Sequence, residues 1–130
     1  MIQTDTEKIN QINILIVEDN AFFRQSFKEH LHLTGPNVQE AVDGPETLEK
    51  VKTFPPHLIF MDIRLPGESG LSLTKKIKAR HPEIQIVIVT SYDNPEYREA
   101  ARQSGASHFF SKDALNFEEI TALINAVSPR

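Results

Sequence analysis

The chain has 130 residues, 39% hydrophobic and 25% charged, enough for one domain with a sizeable core and too few for two. A net charge of -4 and a pI near 5.7 leave no basic footprint, so direct binding to nucleic acid or to an anionic membrane is not expected. Having no cysteine, the chain offers no disulfide framework, thiolate metal site or cysteine nucleophile, and no apolar run approaches the roughly 18 residues of a membrane span; the expected location is cytoplasmic.

In chain order, Met1 to Gln11 is polar and mixed in charge, unlike a signal peptide, and reads as a lead-in to one domain over 12-128. Ile12 to Val17 is dense in β-branched residues and predicts a central strand. Asn20 is an N-cap for a helix with Phe23, Phe27 and Leu31 on one face, stopped by Gly35-Pro36. Val38 to Val42 predicts a weaker strand nearer an edge, followed by a helix from Pro45 to Phe54 with Leu48 and Val51 turned inward. Leu58 to Met61, four apolar residues in a row, predicts a strand buried on both faces, and Pro66-Gly67 turns the chain soon after it. Ser69 caps a helix to about Arg80, with Leu73 and Ile77 inside. Ile84 to Thr90 is another strand, and Asn94-Pro95 opens a helix that closes at Gly105. His108 to Ser111 is a short fifth strand, and Asn116 with Glu119 forms a variant capping box ahead of a helix striped with Phe117, Ile120, Leu123, Ile124 and Val127. Five strands alternating with five helices imply an α/β fold, a parallel sheet with helices on both faces.

In a parallel sheet every strand ends on the same side. Glu18, Asp19, Asp62, Thr90 and Lys112 therefore meet around one crevice. Each close pair of carboxylates costs about 4 kcal/mol at 4 Å and an effective dielectric near 20, so three of them call for a cation. Oxygen ligation with room for water suits Mg2+ or Mn2+, whereas zinc would want histidine or cysteine. Lys112 can hold an anionic oxygen, and Thr90 can donate from its hydroxyl. A carboxylate, a divalent metal, a lysine and a hydroxyl describe an acyl-phosphate site with aspartate as nucleophile.

Taken singly these residues have ordinary readings. Glu18 and Asp19 fit a helix N-terminus, Thr90 fits a strand, Lys112 fits a solvated surface and Phe109 fits a core. The joint placement of the polar ones, each at a strand's carboxyl end, sets the ordinary readings aside. The five histidines show no ligand spacing and receive no role.

The residues from about Asn13 to Val127 resemble the receiver domains of two-component response regulators. Glu18-Asp19 looks like that family's acidic pair. Met61-Asp62 with Pro66, Gly67 and Gly70 looks like its phosphoacceptor strand and loop, and Thr90, Phe109 and Lys112 match its hydroxyl, switch aromatic and lysine. The resemblance implies a flavodoxin-like (βα)5 three-layer sandwich with strand order 2-1-3-4-5. It also implies Asp62 as phosphoacceptor and a metal held by Asp19, Asp62 and the Arg64 backbone carbonyl, with Glu18 acting through water. Self-phosphotransfer and autodephosphorylation would follow, without the turnover of an ordinary enzyme. The implied partners are a sensor histidine kinase or phosphotransfer protein, an effector, and a second copy docked through the fourth helix, fifth strand and last helix or through the first and last helices. Tyr92 and Arg64, each two residues past a site residue, are expected to flank the site.

Two departures stand out. Ser91 occupies a position where alanine is common, and Lys112 is followed by Asp113 where proline is common, so the cis peptide often seen there is not assumed and the geometry of that bond is left open. Lys112-Asp113 with Gly105-Ala106-Ser107 is similar to receivers that precede LuxR-type helix-turn-helix domains. The chain then reads either as a single-domain regulator or as the receiver of a longer one. The competing reading is a pseudo-receiver, a binding module of the same fold that works without phosphorylation.

Overall fold

A computed structural model describes residues 11-33 and 35-127. Five strands form one parallel sheet: β1 (Asn13–Val17), β2 (Asn37–Ala41), β3 (Leu58–Met61), β4 (Gln85–Thr90) and β5 (His108–Ser111), in the order β2-β1-β3-β4-β5. Five helices connect and close them: α1 (Ala21–His32), α2 (Gly44–Thr53), α3 (Gly70–Arg80), α4 (Pro95–Ser104) and α5 (Phe117–Ala126). This is the flavodoxin-like three-layer arrangement expected from the sequence. The expected lead-in lies outside the described residues except for Gln11, which is exposed.

Because side chains alternate along a strand, each inner strand supplies both faces of the sheet. Ile14, Ile16, Leu58, Phe60, Val87 and Val89 pack against Phe27 and Leu31 of α1 and Ile120 and Ile124 of α5. Leu15, Val17, Ile59, Met61, Ile86 and Ile88 pack on the other side against α2, α3 and α4 through Val51, Leu73, Ile77 and Ala101. The outer strand β2 is only half-buried over most of its length, which explains its weaker apolar pattern. Phe27 meets the Phe60 ring edge-on, with centroids 4.9 Å apart, so the first helix is seated on the strand that leads into Asp62.

The expected caps are in place. Asn20, Ser69 and Asn94 accept from Phe23, Leu71 and Tyr97 backbone N–H groups, and Gly105 ends α4 with φ 106°, a backbone conformation that only glycine adopts freely. Asn116 Oδ1 accepts from the N–H groups of both Glu118 and Glu119, while Glu119 Oε1 accepts from the Asn116 side-chain amide at 3.4 Å.

Leu48 departs from expectation. It is 39% exposed, because the buried face of α2 is Gly44, Thr47 and Val51, and Leu48 is rotated about 100° from Thr47. It lies instead on the rim of a groove between α2 and α3 with Lys52, Ile77 and Arg80.

Phe60→Ala should destabilise the fold by about 3 to 5 kcal/mol, because Phe60 is 2% exposed and the edge contact with Phe27 is lost with it. Urea unfolding of the two proteins measures the difference.

Candidate functional site

The site is built by backbone pairing that continues past the strand ends. Glu18 N–H donates to the Ala41 carbonyl at 3.0 Å, and Asp62 N–H donates to the Val17 carbonyl at 3.0 Å. These bonds carry the ladder one residue beyond β1 and β3, so both acids leave the sheet from fixed backbone. Arg24 of α1 adds a third tie, its guanidinium donating to the Glu18 carbonyl at 2.8 Å while it also pairs with Glu40 of β2.

Asp62 is buried, as is Glu18. Asp62 Oδ1 accepts from the Ile63 backbone N–H at 2.7 Å, and Oδ2 accepts from Lys112 Nζ at 3.2 Å. Lys112 Nζ also lies 2.6 Å from Glu18 Oε1, and Glu18 Oε2 accepts from the Asn20 N–H at 3.1 Å. The lysine therefore bridges two acids that start on different strands. Asp19 completes the set from an exposed position, and one carboxylate oxygen from each of Glu18, Asp19 and Asp62 lies within 4.8 Å of the others. All three donors are hard oxygens, and their summed charge exceeds what Lys112 alone balances. That donor chemistry fits Mg2+ or Mn2+.

The loop after Asp62 is shaped by two glycines. Gly67 turns with φ 79°. Gly70 opens α3 so close to the site that a Cβ on it would lie 1.8 Å from the Asp62 carbonyl oxygen, an overlap no side chain can occupy. Its N–H donates to the Ile63 carbonyl at 2.8 Å. Only glycine lets the helix start this near the acid.

On the other flank, Thr90 ends β4 fully buried, and its Oγ1 accepts from the Tyr92 N–H at 3.3 Å. Arg64 and Tyr92 meet, with the guanidinium carbon 4.3 Å from the Tyr92 ring centroid. Phe109 is half-buried on β5, and the Arg98 guanidinium carbon lies 4.7 Å from its ring centroid. Lys112 is the first residue of a 3-10 turn, Lys112–Ala114, which the sequence reading did not anticipate; Ser111 Oγ caps it by accepting from the Asp113 N–H. No peptide bond among the described residues is cis. Glu18, Asp19, Asp62, Thr90 and Lys112 thus leave the sheet at its carboxyl edge, whereas Phe109 lies one step inside it, paired with Ile88 and packed on the apolar layer.

The sequence reading missed two contributors. Arg24 was not singled out, and Phe23 was read as core only, although its ring lies 4.4 Å from Lys112 Nζ. The available signal was position, since the first turn of a helix that starts just after a strand returns over that strand's end. His57 and His30 also have structural places. His57 Nδ1 accepts from the Asn13 N–H at 3.0 Å, and the His30 ring lies 3.6 Å from that of Phe117.

Burial pushes the Glu18 carboxyl up to about 7; the Lys112 hydrogen bond opposes this and the Asp62 charge adds to it. For Lys112, burial works against the charged form, but the Glu18 hydrogen bond and the charges of Asp62 and Glu18 outweigh it and raise its pKa. Because the folded state holds the Glu18 proton more tightly than the unfolded chain does, the metal-free protein should gain stability as pH falls from 8 through 7 toward 4.5. The full range is about 3 kcal/mol, taking 1.36 kcal/mol per unit. Urea unfolding without metal across this range should show the slope for the native chain and lose most of it in Glu18→Gln.

Residues 14–125 match the response regulator receiver domain family. The chain is 36% identical over 101 residues to a cyclic di-GMP phosphodiesterase of Thermotoga maritima, covering 78% of this chain and 27% of that one. It is 35% identical over 115 residues to the oxygen regulatory protein NreC of Staphylococcus carnosus, covering 86% of this chain and 53% of that one. The chain thus spans about a quarter to a half of these curated relatives. A solved structure described as a DNA-binding response regulator of the LuxR family from Staphylococcus aureus superposes with a TM-score of 0.80 at 26% identity, over 89% of this chain and 98% of that one. Receiver domains bind Mg2+ at an acidic pocket, and the described residues hold one such cluster in Glu18, Asp19 and Asp62. Among the described residues no helix is long and apolar enough to cross a membrane. The fold, the acidic edge and these similarities agree: the chain belongs to the receiver domains of two-component response regulators.

Proposed function

We propose that Asp62 is the phosphoacceptor of this receiver and takes a phosphoryl group from a phosphohistidine on a partner kinase or phosphotransfer protein, or from a small acyl phosphate. The observation that supports this most is the convergence of Asp62, Glu18, Asp19 and Lys112 on one edge, with both Asp62 and Glu18 fixed by backbone bonds. An Asp62 carboxylate oxygen attacks phosphorus. The bond from phosphorus to the imidazole nitrogen breaks, and its electron pair stays on that nitrogen. Asp19, Asp62 and the Arg64 carbonyl would hold the divalent cation, Glu18 through water, and the bound cation supplies charge neutralisation at the phosphoryl oxygens. As Asp62 loses its negative charge, the Lys112 ammonium is free to turn from Oδ2 to a phosphoryl oxygen. The Thr90 hydroxyl then donates to the same group, giving up its bond from the Tyr92 N–H.

The consequence is a change of surface. Drawing Thr90 toward the phosphate vacates space that Phe109 fills by turning inward, which breaks its contact with Arg98 and alters the face made by α4, β5 and α5. That face would meet an effector, by analogy with LuxR-family relatives a DNA-binding one, or a second copy; α1 and α5 form the alternative face for pairing. Arg64 stacked on Tyr92 covers the flank of the site and slows water's approach to the acyl phosphate.

Intact mass after incubation with acetyl phosphate tests the central step. One phosphoryl adduct is expected on the native chain with Mg2+, and none without Mg2+ or in Asp62→Asn; an adduct that persists in Asp62→Asn would refute the assignment. No adduct from acetyl phosphate or from candidate kinases would favour a phosphorylation-independent module. A second expectation concerns lifetime. Tyr92→Ala and Arg64→Ala should each shorten the half-life of the phosphorylated form, read as loss of the adduct over time, and unchanged hydrolysis in both would remove the shielding role.

A further inference from the structure

Lys112 reaches the acids from the side of the sheet opposite α2 and α3, and its approach is bounded by α1. Phe23, on the first turn of α1 after the Asn20 cap, places its ring centroid 4.4 Å from Nζ, a distance at which an ammonium is attracted by the ring's negative face. The ring is not free to drift. It packs on Phe27 with centroids 5.8 Å apart, and Phe27 is pinned on Phe60. Lys112 is largely withdrawn from water, its side chain 14% exposed, which strengthens such a contact.

We infer that Phe23 is a positioning residue for Lys112, holding the ammonium over the phosphoacceptor edge with a partner that accepts no strong hydrogen bond. The lysine has three N–H donors. Glu18 Oε1 and Asp62 Oδ2 take two of them, and the Phe23 ring lies against the ammonium beside these two acids. A carboxylate there would tie the lysine down, because an ionic hydrogen bond must be broken before the ammonium can turn to a phosphoryl oxygen. An aliphatic side chain there would leave the third donor facing apolar surface. The ring holds the charge in place and costs less to leave than a carboxylate would, which suits a lysine that must change partners within one reaction. The aromatic row Phe23, Phe27 and Phe60 thus connects the lysine's position to the strand that carries Asp62.

This rests on Asp62 being the phosphoacceptor, and two readouts keep the claims separable. The first is the rate of adduct formation from acetyl phosphate with Mg2+ in the native chain, Phe23→Leu and Phe23→Tyr. Leucine retains apolar bulk and loses the ring; tyrosine retains the ring. Phe23→Leu should react roughly three- to tenfold more slowly, the range expected for loss of a partly desolvated cation–π contact, and Phe23→Tyr should stay near the native rate. The second readout needs no phosphorylation: the Lys112 Hε resonances should be shifted upfield by the ring in the native chain and Phe23→Tyr, and return to ordinary positions in Phe23→Leu. Native-like reaction in Phe23→Leu, or equal slowing in both variants with the ring shift intact in Phe23→Tyr, would overturn the positioning role. A native chain with the ring shift but no adduct from any phosphodonor would instead overturn the phosphoacceptor reading, and the role with it.

Discussion

The repulsion among three carboxylates at one sheet edge is the constraint around which the rest of this receiver is arranged. Glu18, Asp19 and Asp62 bring ligand oxygens within 4.8 Å of one another, and two of these acids are buried. Like charges this close are costly where they are withdrawn from water, as Glu18 and Asp62 are, and less so at the exposed Asp19. The fold meets that cost with backbone order. Hydrogen bonds from the Glu18 and Asp62 N–H groups continue the ladder past the strand ends, so the acids cannot relax apart by fraying. Lys112, swung in by the 3-10 turn that ends β5, neutralises part of the charge.

The scaffold explains why this stored charge does not unfold the protein. The inner strands β1, β3 and β4 are buried on both faces by two separate apolar layers. The site residues are only the polar ends of those strands. Gly70 lets α3 begin against the Asp62 carbonyl, and Arg24 ties α1 to the Glu18 carbonyl. Helices on both sides of the sheet are therefore packed or bonded against backbone oxygens of the two buried acids.

Much of this was legible in the sequence because its signals are local. β-branched runs marked β1 and β4, four apolar residues marked β3, and Asn20, Ser69, Asn94 and Asn116 marked helix starts through the hydrogen bonds their side chains accept. The parallel topology then placed Asp62, Glu18, Asp19, Thr90 and Lys112 together without any knowledge of distances. The strand order was another matter, since periodicity does not specify which strands are neighbours, and it came from family resemblance. Leu48 was assigned to the core because a leucine three residues before Val51 in a short helix fits an inward stripe, but the face turned to the sheet is centred on Gly44, Thr47 and Val51, with the small Thr47 taking the inner position. Phe23 and Arg24 were missed as parts of the site because each also satisfies an ordinary helical role. Their position in the first turn of α1 placed them near the end of β1, but their particular contacts, with Lys112 and with the Glu18 carbonyl, depend on how α1 leans over that end.

Thermal unfolding at pH 8 with increasing MgCl2 tests most directly the claim that a charge-crowded oxygen site awaits a divalent cation. The account predicts a melting temperature that climbs steadily with Mg2+ concentration in the native chain and hardly moves in Asp19→Asn, since a ligand that binds only the folded state stabilises it by mass action. A flat titration of the native chain, or an equal rise in Asp19→Asn, would contradict it.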